Sequence, residues 1–209
     1  IFDEVVSGFR FDLGGAQVIA GVQPDLSAFG KAMANGFSIS ALVGKKDIME
    51  LAGIEHDKER VFILSSTHGG ETHCFAAALA CINEIKKNNL IDYFWMIGGE
   101  IKLAIHKAAD RANASEYVKI SGYDVKPAVT ITNTNNQASN IIRTYFLQEM
   151  IKRKIMIPYI VPGFSHKQEH VNLLYEASEE VFSMIAKLED EQSIAQKIDG
   201  HIIKPVFRK

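Results

Sequence analysis

The sequence predicts an α/β portion ending near residue 112 and a smaller α+β portion after it. Three observations carry this. Short apolar runs bounded by Gly, Pro and Asn alternate with helical patterns up to about Arg111. Beyond that point two strand-like runs are followed by two long helical patterns, which is the order of an α+β unit. At 209 residues the chain has enough apolar material for a sizeable core.

Along the chain, Ile1 to Val6 reads as a short buried strand closed by a Ser7-Gly8 turn, and Gly14-Gly15 and Gln23-Pro24-Asp25 mark loops. Leu26 to Phe29 and Ile39 to Val43 are further short strands, and a helix is expected from Lys46 to Ala52. Val61 to Leu64 is another apolar run. From Thr72 to Lys87 the chain is Ala-rich, with Phe75, Leu79, Ile82 and Ile85 at helical spacing. Asn88-Asn89 ends that helix, and a second is expected from Leu90 to Arg111. Val118 to Ile120 and Val129 to Ile131 read as strands, Ser139 to Lys152 as a helix, Ile155 to Val161 as extended, and Lys167 to Asp190 as a last helix.

Composition narrows the function. A hydrophobic fraction of 47% and a charged fraction of 23% are ordinary for a globular protein. The net charge of −2 leaves no electrostatic footprint for nucleic acid or an anionic membrane. The longest apolar run, Phe75 to Ile82, is far short of the roughly 20 residues that span a bilayer. "IFDEVV" opens on a strand-like run, which is expected of the later part of a longer polypeptide. Cys74 and Cys81 stand about 10 Å apart along a helix axis, too far for a disulfide, and suit a reducing compartment. With His68 and His73 their spacing matches no usual zinc pattern, so no metal is expected.

Three stretches could carry chemistry. Asp3 and Glu4 lie in an apolar run, where a carboxylate is costly unless bonded. An acid at the carboxyl end of a parallel strand is a candidate ligand contact, although Asp3 could equally cap a turn. In "DLSAFGKAMANGF" (25 to 37), Lys31 sits among small and apolar residues. A buried amine has a lowered pKa and is a nucleophile toward aldehydes. The GxxxxGK[ST] spacing of a P-loop is absent. In "LSSTHGGET" (64 to 72), hydroxyl residues and Gly69-Gly70 precede a helix start, a chemistry that suits phosphate or plain N-capping.

Taken together, "FDEVVSGFR" (2 to 10), "GVQPDLSAFGKAMANGFSISALVGKKDIM" (21 to 49) and "SSTHGGETHCFAAALACINEI" (65 to 85) resemble the class III pyridoxal-phosphate aminotransferases, the family that includes glutamate-1-semialdehyde aminomutase. A weaker match runs through "FLQEMIKRKIMIPYIVPGFSH" (146 to 166). The resemblance implies a fold-type I transferase: residues 1–112 as the later part of the large, cofactor-binding α/β domain, and residues 113–209 as the small C-terminal domain. It implies pyridoxal 5'-phosphate (PLP) as cofactor. Lys31 would hold it as a Schiff base and move the substrate proton. Asp3 would face the pyridine nitrogen, and Val5, two residues on, would pack against one ring face. Ser66 and Thr67 would bind the phosphate, with Thr67 reaching into the neighbouring subunit of a homodimer. A cytoplasmic location is expected.

The family's phosphate loop, ring-stacking aromatic and part of its substrate pocket come from an earlier half. An isolated 209-residue chain is therefore expected to bind cofactor weakly. Val161 stands where the aminomutase branch carries an acid two before Gly163-Phe164, and His68-Gly69-Gly70-Glu71 replaces the usual "SGNP". The expected reaction is amino transfer between an amine donor and a keto or aldehyde acceptor. The alternatives are the intramolecular aminomutase reaction and a non-catalytic domain that keeps the fold.

Overall fold

The computed structural model describes residues 1–59, 69–188 and 190–204. They form two compact units, Ile1–Tyr93 and Phe94–Lys209. The division falls in the first turn of a helix, most of which belongs to the second unit.

In the first unit, β1 (Phe2–Asp3) pairs in parallel with β2 (Leu26–Phe29), and β2 pairs antiparallel with β3 (Ala41–Gly44). A five-residue helix, α1 (Ala16–Ala20), occupies the first connection; no apolar periodicity announced it. The expected helix after β3 appears as α2 (Lys46–Met49) continued by a 3₁₀ turn, Glu50–Ala52. Beside it, Lys45 and Asp25 pair at 2.6 Å across the exposed end of the hairpin. The run Val61 to Leu64 lies outside the described residues.

The helix α3 (Thr72–Lys87) has the expected bounds but a different inner face. Cys74, Ala78 and Ile85 are buried, whereas Phe75 and Leu79 are 51% and 64% exposed. Phe75 and Leu79, although at helical spacing in the sequence, thus face away from the core contact. The reason is steric: α3 lies against Met33 and Ala34, and small residues allow that approach where Phe and Leu would not.

Most of α4 (Leu90–Arg111) belongs to the second unit, where Phe94, Ile97, Ile101, Ala104, Ile105 and Ala108 form its buried stripe. A hairpin of β4 (Val118–Ser121) and β5 (Ala128–Ile131) follows, then α5 (Asn140–Lys152), α6 (Gln168–Ala186) and α7 (Glu191–Ala195). The Ser139 side chain caps α5 by accepting from the Ile142 N–H at 3.1 Å. The last helical pattern breaks at Lys187, where Asp190 caps the separate α7.

Two glycines in α4 have a steric cause. A Cβ on Gly98 would lie 1.9 Å from the Asp124 carbonyl oxygen, and one on Gly99 would lie 3.2 Å from its carboxylate. Lys102, one turn on, fastens the same loop through Asp124 Oδ1 at 2.8 Å and Gly122 O at 3.0 Å. Among the described residues no helix is long and apolar enough to cross a membrane.

Candidate active site

In the parallel pair, Phe2 aligns with Ser27 and Asp3 with Ala28, so both strands end at the same edge. Loops leaving the carboxyl ends of parallel strands are where α/β folds place ligands. Asp3 is the last residue of β1 and is exposed. Its Oδ1 accepts the Val5 N–H at 3.0 Å, so the acid does close a turn as well as face outward.

Lys31 follows β2 by two residues and opens a 3₁₀ turn, Lys31–Met33. Its φ is 43°, in the left-handed region that non-glycine residues seldom adopt. The turn is closed by Met33 N–H to Gly30 O at 3.0 Å and Asn35 N–H to Lys31 O at 2.9 Å. Beneath it, Met33 and Ala34 pack with Phe29 and Ala78, and Phe9, Ile39 and Ile82 close around them. The Cys81 thiol on α3 donates to the Ala32 carbonyl at 3.3 Å.

Lys31 itself is exposed, which corrects the expectation of a buried amine. The left-handed residue turns the chain so that Met33 and Ala34, not Lys31, enter the core. Val5 lies between the two strand ends: a Cβ on Gly30 would be 3.6 Å from Val5 Cγ1. Because β1 stops at Asp3, Val5 owes its place to the turn and not to strand alternation. Asp3, Val5 and Lys31 therefore gather at one edge. Ser66 and Thr67 lie outside the described residues.

Sequence reasoning left Glu4 without a role. It is 1% exposed and bonded by backbone N–H groups of α1. The signal for it was the acid inside an apolar run followed by a glycine pair, of which Gly15 leaves the carboxylate room by its lack of a Cβ. At the start of α3, Glu71, His73 and Cys74 bring their donor atoms within 4.8 Å of one another. Burial pushes the Cys74 thiol up, and the neighbouring Glu71 carboxylate adds to this. The sulfur hydrogen-bonds to Glu71 Oε2 at 3.7 Å.

The ends of neighbouring parallel strands thus present an amine, a carboxylate and a small apolar side chain at one edge. The family model for class-III aminotransferases matches residues 1–146, and the chain belongs to that family. It is similar to a 3-aminobutyryl-CoA aminotransferase of Cloacimonas acidaminovorans, 31% identical over 90% of this chain and 44% of that protein. A glutamate-1-semialdehyde 2,1-aminomutase of Desulforudis audaxviator is 28% identical over 87% of this chain and 44% of its own length. Among solved structures, the FumI protein of Sphingopyxis in its PLP internal aldimine form superposes with a TM-score of 0.76 at 20% identity, over 92% of this chain and 45% of that one. An omega-transaminase from Sphaerobacter thermophilus gives 0.73 at 21% identity, over 87% of this chain and 43% of that one. The fold is thus the expected fold-type I transferase fold, and the chain spans somewhat under half the length of these relatives.

Proposed function

We propose that the protein is a PLP-dependent aminotransferase that moves an amino group between an amine donor and a keto or aldehyde acceptor. The observation that carries this is the placing of Lys31 and Asp3 at the carboxyl ends of neighbouring parallel strands, with Val5 against Gly30 between them. The donor set fits the cofactor: a primary amine for an aldehyde, a carboxylate for a protonated ring nitrogen, and an aliphatic side chain for a ring face. When bound, PLP supplies an electron-withdrawing ring that stabilises negative charge at the substrate carbon.

The protein's own residues do the rest. With PLP bound, Lys31 Nζ would hold it by its aldehyde carbon and, once free, would take up and return the substrate proton. The Asp3 carboxylate keeps the ring nitrogen protonated. Val5 orients the ring and excludes water from one face. Ser66 and Thr67 bind the phosphate, Thr67 in the partner subunit of a homodimer. The location is cytoplasmic.

A second reading, the aminomutase, is supported by relatives such as that of Nitrosopumilus maritimus, 46% identical over 87 residues. The test is borohydride reduction of the full-length holoenzyme. The visible imine band bleaches and the label maps to Lys31; a label elsewhere, or a band retained in Lys31→Ala, refutes the assignment. Absence of any band favours the non-catalytic alternative. With substrate and no amino acceptor, a transaminase stops after one half-reaction, whereas an aminomutase continues.

A further inference from the structure

Glu4 is a carboxylate with only 1% of its surface in contact with solvent. Burial of that kind is costly unless the oxygens are fully used. Here Oε1 accepts the Gln17 N–H at 2.8 Å, and Oε2 accepts the Ala16 N–H at 2.9 Å together with the Ser7 hydroxyl. The backbone of the same residue is tied as well. Its N–H donates to Ala28 O at 2.8 Å, and its carbonyl accepts the Gly8 N–H at 2.8 Å. Gly15, at φ 90°, wraps so closely that a Cβ there would lie 2.5 Å from the Glu4 carboxyl carbon.

Glu4 thus joins three pieces at one point: the end of β1, the edge of β2, and the loop that enters α1. It is also the residue between Asp3 and Val5. With Glu4 fixed at backbone and side chain, the peptide planes on either side of it are fixed. The Asp3 carboxylate, though exposed, is held by its bond from the Val5 N–H on that fixed backbone.

We propose that Glu4 is the positioning residue of this site, fastening the entry to α1 beneath β1 and so setting the orientation of the Asp3 carboxylate. This rests on the reading of Asp3 as the partner of the cofactor ring nitrogen. Glu4 touches no reacting atom and acts through Asp3.

The test uses the holoenzyme and Glu4→Gln, which replaces one acceptor oxygen with an NH₂ that faces an N–H. Two quantities are read: hydrogen exchange at the Val5 amide, and the pH midpoint of the visible cofactor absorbance. Loss of a charge-assisted hydrogen bond is expected to speed Val5 exchange about tenfold, with the amides of α3 unchanged. The absorbance midpoint should move in the same direction as in Asp3→Asn, and the double variant should show no more than the Asp3→Asn shift. Val5 exchange within about twofold of wild type, a rise shared evenly with α3, or additive midpoint shifts would each overturn the proposal. If wild type carries no cofactor on Lys31, the functional reading fails, while Val5 exchange still decides the role of Glu4. Should Glu4→Gln not fold, Ser7→Ala removes a single donor and is read the same way, with a smaller rise at Val5 expected.

Discussion

The left-handed backbone at Lys31 can be measured by comparing Lys31→Ala with Lys31→Gly. Both variants remove the amine, and the side chain is exposed, so lost packing is nearly the same. They differ in how they tolerate a φ of 43°. An L-residue in the left-handed region bears about 1–2 kcal/mol, which glycine escapes. Glycine in turn gives up about 0.5–1 kcal/mol through the greater freedom of its unfolded chain. Glycine should therefore be the more stable of the two by about 1 kcal/mol. For a chain of this size that is a difference of about 2–4 °C in Tm. Urea unfolding of the two variants under identical conditions reads the difference directly. An alanine variant as stable as the glycine variant, or more so, would refute the claim that the turn holds position 31 left-handed against its preference.

Gly98→Ala raises helix propensity by about 1 kcal/mol, yet its Cβ meets the Asp124 carbonyl at 1.9 Å. Overpacking prevails, and denaturant unfolding should show a net loss of about 1–3 kcal/mol. Ser178 is fully buried, with a hydroxyl that has no hydrogen-bond partner among the described residues. Ser178→Ala should raise stability by about 1 kcal/mol in the same assay, because an unpaired hydroxyl no longer has to leave water. Glu149 is subject to burial, which pushes its carboxyl up. Hydrogen bonds from Lys152, Gln148 and Arg153 outweigh that and hold it below the usual range. The stabilisation is present above the unfolded pKa of about 4.3 and is lost as pH falls through the depressed folded value. Unfolding free energies measured between pH 6 and pH 3 should thus fall more steeply in wild type than in Glu149→Gln.

Much of the architecture was legible because it is written in local signals. Asn88-Asn89 separates α3 from α4 where the sequence says it should, and Leu26–Phe29 is a strand with the expected bounds. What escaped prediction depends on tertiary context. The short α1 is held by Glu4 from twelve residues away, so no window of periodicity reveals it. The inward face of α3 is not given by helical spacing alone, because the small Ala78, not Phe75 or Leu79, suits a close approach to Met33 and Ala34. At the site, residue type announced Lys31 and Asp3. The exposure of Lys31 and the placing of Val5 come from turn geometry, which no residue pattern encodes.

The thiol of Cys81 reaches across 49 residues of sequence to the carbonyl that comes after Lys31. Burial pushes that thiol up, so it reacts sluggishly while the contact holds. Any event that lifts the turn from α3 uncovers a more ionisable sulfur. A small alkylating reagent therefore serves as a clock for the opening of the lysine turn. That clock needs no engineered label.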